Sequence, residues 1–233
     1  MSLLNGPVLE PQDSSKPAKI IIFCHGYGAD GNDLIGLANY IQPQLPDAVF
    51  LSPNAPEKCG LNPMGYQWFD FQSGDPATIW KGVLNAADTL NNYIDEQLQS
   101  YGLSDDNLAL IGFSQGTMMS LHVGLRRLNS MRAIVGFSGR LIAPELLKND
   151  LKSKPPIYLI HGDVDPMVPY QETIDAEKKL SELNIDVQAH ISPNTQHSIA
   201  QDGLEIAIKL IPSLLNLFAK STIVLFTCFT YGQ

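Results

Sequence analysis

Short apolar runs recur along the chain, each bounded by polar or turn-forming residues: Lys19–Cys24 (KIIIFC), Ala48–Leu51, 107–111 (NLALI), 132–137 (RAIVGF), 156–160 (PIYLI) and 186–191. Several are continuous rather than alternating, the pattern of strands buried on both faces. Between them the spacing changes. In 79–98 the apolar positions Ile79, Val83, Ala86, Leu90, Tyr93 (or Ile94) and Leu98 fall three to five apart, which predicts one apolar face of a helix. Segments 116–128, 170–183 and 203–218 read the same way. Strands alternating with helices predict an α/β fold, with a mostly parallel central sheet and helices on both faces. In such sheets ligands sit beyond the carboxyl ends of the strands. The residues just after each strand are therefore the first candidates for chemistry.

Several of those strand ends are unusual. The run NLALI leads into Gly112-Phe113-Ser114-Gln115-Gly116, and a helical pattern follows at once. This is a G-x-S-x-G elbow, in which a tight strand-to-helix turn holds a serine hydroxyl above the sheet. The residues two before and two after the serine crowd each other, and glycine relieves the clash because it has no Cβ. The helix N-terminus beside the serine favours developing negative charge. A second stretch, Gly136-Phe137-Ser138-Gly139, also ends a strand. There Arg140 stands where the second glycine is required, so Ser138 is read as structural.

A serine nucleophile needs a base, and the base needs an orienting acid. In an α/β-hydrolase the chain order is serine, acid, histidine. The run PIYLI ends in His161-Gly162-Asp163-Val164-Asp165-Pro166, which offers two acids. The loop after 186–191 carries Pro193-Asn194-Thr195-Gln196-His197-Ser198. Of the five histidines, His122 falls inside a helix and His190 inside a strand. His25 and His161 precede glycines at strand ends, where buried structural histidines are common. Only His197 lies in a loop downstream of the acid. Asp165 is preferred to Asp163, which directly follows the glycine turn and is better placed to cap N–H groups there. For the tetrahedral oxyanion, one donor is expected from the N–H of Gln115 and a second from the glycine-rich loop His25–Gly31, with Tyr27 N–H as the candidate. That loop fits neither G-x-x-x-x-G-K-[ST] nor G-x-G-x-x-G, so nucleotide binding is not expected. Trp68, Phe69 and Phe71, with Met64 and Met167, are candidates for an acyl groove; ordinary core packing is the competing reading.

Composition narrows the setting. The 233 residues are 44% hydrophobic and 17% charged, with a formal net charge of -9. An acidic protein is repelled by phosphate backbones, which argues against nucleic acid. Cys24, Cys59 and Cys228 show neither a C-x-x-C pair nor ligand spacing, so no disulfide framework and no metal site is expected. Residues 1–17 show no signal-peptide pattern. The compartment is read as cytoplasmic, with reduced thiols. Residues 1–220 carry no repeat or linker and are expected to form one domain. Residues 221–233 are an apolar tail whose run is about half the ~20 residues of a membrane helix, so no transmembrane span is expected. The tail is read as an edge strand or packed segment, or else as a surface for a lipid interface or a second subunit, as in a homodimer.

Taken together, 21–38 (IIFCHGYGADGNDLIGLA), 51–59 (LSPNAPEKC), 62–70 (NPMGYQWFD), 110–122 (LIGFSQGTMMSLH), 160–169 (IHGDVDPMVP) and 196–199 (QHSI) closely resemble the bacterial phospholipase/carboxylesterase family, α/β-hydrolases related to acyl-protein thioesterases. The resemblance spans residues 3–219. It implies a triad of Ser114, Asp165 and His197, the acid being the one before Pro-x-Val-Pro, and an oxyanion hole at Tyr27 and Gln115. It also implies hydrolysis of small-molecule carboxylic esters or acyl thioesters without a cofactor. The tail departs from the family pattern. A hydrolase-fold binding protein without turnover is the alternative, and it would require a missing catalytic part; none is missing from the motifs.

Overall fold

A computed structural model of the chain describes residues 4–216, so the apolar tail 221–233 lies outside the described residues. The elements in order are β1 Val8–Leu9, β2 Lys19–Cys24, α1 Gly31–Ile35, α2 Ala38–Ile41, β3 Ala48–Leu51, β4 Glu57–Lys58, β5 Tyr66–Gln67, α3 Pro76–Tyr101, β6 Leu108–Phe113, α4 Gln115–Gly124, β7 Ala133–Phe137, α5 Leu147–Asp150, β8 Ile157–Gly162, α6 Gln171–Glu182, β9 Val187–Ser192 and α7 Gln201–Asn216. Among the described residues, seven strands form the main sheet in the order β1-β3-β2-β6-β7-β8-β9. All its neighbours are parallel except β1 and β3.

The unbroken apolar runs follow from burial on both faces. Along β2, Ile20, Ile22 and Cys24 enter one core, and Ile21 and Phe23 enter the other. In β6, Leu108 and Leu110 face the first core while Ala109 and Ile111 face the second. Alternate side chains of a strand point to opposite faces, so a strand covered on both sides has no polar face to show. Helices α3, α4, α5 and α6 cover the first face through Val83, Leu90, Met119, Leu147 and Leu180. Helices α1, α2 and α7 cover the second through Leu34, Ile41, Ala207 and Ile211.

Helix α3 extends beyond the 79–98 periodic segment because both ends are capped. Asp75 accepts from Thr78 N–H at 2.9 Å, Pro76 follows it, and Gly102 at φ +68° closes the C-terminus. Arg127 fastens this helix to the approach of β6: its Nε, Nη1 and Nη2 donate to Asp105, Asn91 and Asp95 at 2.5, 2.6 and 2.8 Å. The small antiparallel pair β4–β5 was not expected from the apolar pattern, because two-residue strands carry no period. Among the described residues no helix is long and apolar enough to cross a membrane.

His122 lies in α4, buried, with the ring of Trp80 5.7 Å away in an edge-on contact. Burial, reinforced by the Arg126 charge, holds its imidazole down to about 4. Its ordinary value is ~6.5, so the unfolded chain takes up this proton first as the pH falls. The associated stability is fully present above ~6.5 and is lost between there and about 4. Unfolding free energy followed by urea titration should therefore decline over this window. The decline should be shallower in His122→Gln, and an identical pH slope in that variant would refute the assignment.

Candidate functional site

The turn between β6 and α4 is the point from which the site is built. Ser114 adopts φ 52°, ψ −115°, a conformation outside the regions ordinary side chains occupy. Its N–H donates to Phe137 O at 2.8 Å, and Thr117 Oγ1 donates to the same carbonyl at 2.8 Å. The end of β7 thus pins the turn. The expected crowding is present at Gly112, where a Cβ would lie 2.4 Å from Thr117 N and 2.6 Å from Gly116 C. At Gly116 the obstacle is different: a Cβ there would lie 1.8 Å from Cys24 O, at the end of the neighbouring strand β2. Ser138, at the end of β7, also has a positive φ of 48°, but it is buried and its Oγ has no partner among the described residues. It does not line the groove that contains Ser114.

The acid and the histidine come from adjacent parallel strands. Strands β8 and β9 pair through Gly162 and Ser192, and a Cβ at Gly162 would meet Thr195 O at 2.2 Å, so the two following loops lie in contact. Asp163 joins them by accepting from Thr195 N–H at 3.2 Å. His197 Nδ1 lies 2.6 Å from Asp165 Oδ2. The Asp165 side chain is fully buried, and its Oδ1 accepts from the N–H groups of Met167 and Val168 at 2.8 and 2.9 Å. His161 Nε2 donates to Val168 O at 2.8 Å and lies 3.2 Å from Asp165 Oδ2, while His161 Nδ1 is 2.8 Å from Thr173 Oγ1. Burial works to raise the Asp165 carboxyl, but the hydrogen bonds from Val168, His197 and Met167 outweigh it and hold the group below the usual carboxylate range. An ionised Asp165 accepts from Nδ1–H and leaves the lone pair of His197 on Nε2.

The glycine-rich loop is braced from the other side. His25 is buried, with Nδ1 2.7 Å from Gly26 O and Nε2 accepting from Ala55 N–H at 2.9 Å, a structural role. A Cβ at Gly26 would lie 3.4 Å from Ser114 Cβ, so the loop runs directly beside the serine. The N–H groups of Gly28 and Ala29 are committed to Tyr66 O and Gly26 O, whereas that of Tyr27 has no acceptor among the described residues. The N–H of Gln115 opens α4, where the first amides lack intrahelical acceptors. The Gln115 side chain is buried and bridges the neighbouring loop, accepting from Trp68 N–H at 2.8 Å and donating to Phe69 O at 2.7 Å.

These parts line one groove of about 570 Å³ that contains Gly26, Tyr27, Phe69, Phe71, Phe113, Ser114, Gln115, Met118, Met167 and His197. Of the five groove candidates, the structure brings in Phe69, Phe71 and Met167. Trp68 is corrected to the core: it is fully buried, outside the groove, and its Nε1 donates to His25 O at 3.0 Å. Met64 is corrected to the exposed surface at 82% exposure, likewise outside the groove. Phe69 and Phe71, two residues apart, both line the groove, while Trp68, immediately before Phe69, packs in the core. Sequence reasoning missed Asp33, Ile79, Met118, Arg140 and Glu172 as groove residues. Ile79 carried only a helix-core signal. Arg140 was noted as a departure from the elbow pattern.

Comparison with known proteins places this geometry among relatives. A family model described as Phospholipase/Carboxylesterase matches residues 7–215. The acyl-protein thioesterase 1 of Saccharomyces cerevisiae is 29% identical over 218 residues, covering 86% of this chain and 95% of that protein. The esterase YpfH of Escherichia coli is 27% identical, covering 84% of each. The crystal structure of esterase PE8 superposes with a TM-score of 0.86 at 41% identity, covering 91% of this chain and 99% of that one.

The elbow packing yields a direct test. Gly116→Ala drives a methyl group into the Cys24 carbonyl and should lower the urea-unfolding free energy by about 3 kcal/mol, at the upper end of overpacking effects. A variant as stable as the parent would show that the turn is looser than described.

Proposed function

The chain belongs to the phospholipase/carboxylesterase family and has the α/β-hydrolase fold, and from that premise we propose that it hydrolyses carboxylic esters or acyl thioesters through Ser114, His197 and Asp165. The observation that carries this reading is the 2.6 Å contact from His197 Nδ1 to the buried Asp165 carboxylate, in the same groove as Ser114. In the proposed reaction Ser114 Oγ attacks the acyl carbonyl carbon while His197 Nε2 takes the hydroxyl proton. The carbonyl π electrons move onto oxygen, where the N–H groups of Gln115 and Tyr27 receive the negative charge. Collapse expels the alcohol or thiol, protonated by His197, and leaves an acyl-serine. Water, deprotonated by His197, then releases the carboxylic acid and restores the serine. Asp165 holds the ring and stabilises its cation throughout. The apolar walls supplied by Phe69, Phe71, Ile79 and Met118 suit an aliphatic or aromatic substrate portion.

Cys24 and Cys59 are free thiols and both are buried, which supports a reducing compartment, the cytoplasm. The catalytic groups assigned here all precede residue 220. On this reading 221–233 are dispensable for turnover.

Ser114→Ala should lose on the order of 10⁶ in kcat with an unchanged circular dichroism spectrum. Retention of a tenth of the turnover would sink the assignment. His197→Gln should lose most of the rate, because the general base is gone, and His122→Gln should keep it. Truncation after Lys220 should leave kcat within about threefold while changing oligomer size or solubility. A folded truncation that has lost turnover would contradict the proposed role of the tail.

A further inference from the structure

Among the described residues, Arg140 is the only arginine or lysine lining the groove, and the reaction above makes no use of it. Its position is close to the chemistry. It follows Gly139, where a Cβ would lie 3.1 Å from Ser114 O. Its side chain is 54% exposed, and the nearest opposite charge is Glu172 Oε1 on α6, 3.8 Å from Arg140 Nη1. Charge-assisted hydrogen bonds span about 2.7–2.9 Å, so this pair is an approach rather than a bond. Half-exposed pairs of this kind contribute little to stability. The guanidinium carries five N–H donors and makes no hydrogen bond to the described residues.

The surroundings give that cation a use. Arg140 and Glu172 also line a second recess of about 550 Å³, walled by Trp80, Leu141, Ile142 and Leu146, with Glu145 as its other charged residue. Arg140 thus stands where two largely apolar spaces meet. Asp33 also lines the groove and repels anions, which leaves Arg140 as the lining group that can attract one. An apolar pocket with one well-placed charge fixes the orientation of its ligand through that charge. An arginine fork matches a carboxylate in particular, because both can bond in two places at once.

We propose that Arg140 is a specificity-determining residue that selects ester substrates carrying a carboxylate on one arm, and that Glu172 is the internal anion such a substrate displaces. This rests on the ester-hydrolase reading given above. Arg140 binds the substrate's carboxylate and takes no part in bond breaking. The two residues should therefore act in opposite directions. Removing the cation weakens the preference for an anionic ester, and removing its competitor strengthens it. A pair that merely braced the fold would affect substrates alike in both variants.

The test compares matched esters: p-nitrophenyl hemiglutarate against p-nitrophenyl pentanoate for a charge on the acyl arm, and the butyrate ester of 4-hydroxybutyrate against pentyl butyrate for a charge on the alcohol arm. In at least one pair, Arg140→Leu should lower the anionic-to-neutral ratio of kcat/KM by about tenfold, the scale of one charged hydrogen bond. Arg140→Lys should fall between, and Glu172→Gln should raise the ratio. Ratios unmoved by Arg140→Leu in both pairs, or shifted the same way by the two neutralising variants, would overturn the proposal. Wild-type protein that cleaves none of the esters would count against the hydrolase reading instead. In that case calorimetry with glutaramate and pentanamide, which lack the ester, decides the role of Arg140. Glutaramate binding should weaken about tenfold in Arg140→Leu with pentanamide unaffected, and equal binding by both proteins would overturn the role.

Discussion

The site depends on a strand-to-helix turn that only a particular set of neighbours allows. Ser114 sits at φ 52°, ψ −115°, a backbone conformation of the kind that costs on the order of 1–3 kcal/mol and persists only where the surroundings over-determine it. Here they do. The Phe137 carbonyl receives both Ser114 N–H and Thr117 Oγ1, Gly112 leaves room for Thr117, and Gly116 leaves room for the Cys24 carbonyl. Gly139 leaves room for the Thr117 side chain. Strands β2, β6 and β7 therefore converge on one turn, and the same close packing that unites the sheet lifts the serine to its edge. A strained residue held this tightly is oriented before any substrate arrives, which is the condition for low reorganisation during reaction.

The second dependency is electrostatic. The Asp165 side chain is buried, yet its charge is matched by two backbone N–H groups and by His197 Nδ1, with His161 Nε2 nearby at 3.2 Å. A buried carboxylate without such donors would neutralise and lose its ability to orient a base. His161 completes this arrangement without lining the groove: it ties Val168 O to Thr173 Oγ1 and so fixes the loop whose amides hold the carboxylate. The short loop from Gly162 to Val168 folds back on Asp165, and the loop after β9 brings His197 to it. Their proximity follows from the parallel pairing of β8 with β9, which sets Gly162 beside Ser192.

Much of this was legible in the amino-acid sequence. Strands buried on both faces announce themselves as continuous apolar runs, so the central strands were recognisable, as was the long helix after residue 76. The elbow was recognisable because its glycines answer a steric demand that few other turns make. Asp165 and His197, which the structure brings into contact, could be singled out because their loops follow strands. The groove wall was not legible in the same way. Trp68, Phe69 and Phe71 share a residue class, and only the three-dimensional course of residues 66–71 decides that Trp68 enters the core while its neighbours face the groove. Arg140 and Glu172 approach each other from the end of β7 and from α6, a juxtaposition that no local spacing encodes. The short pair β4–β5, which braces the glycine-rich loop through Tyr66 and Gly28, is likewise a tertiary effect with no period to detect.

The central claim is that this geometry makes Ser114 the activated nucleophile. Treatment of the purified protein with a fluorophosphonate, followed by intact-mass analysis and peptide mapping, tests it directly. The account predicts a single adduct on Ser114 and none on Ser138, which ends a neighbouring strand with a similar positive φ but lies outside the groove. An adduct on Ser138 or another residue, or a folded protein that takes up no probe, would contradict it.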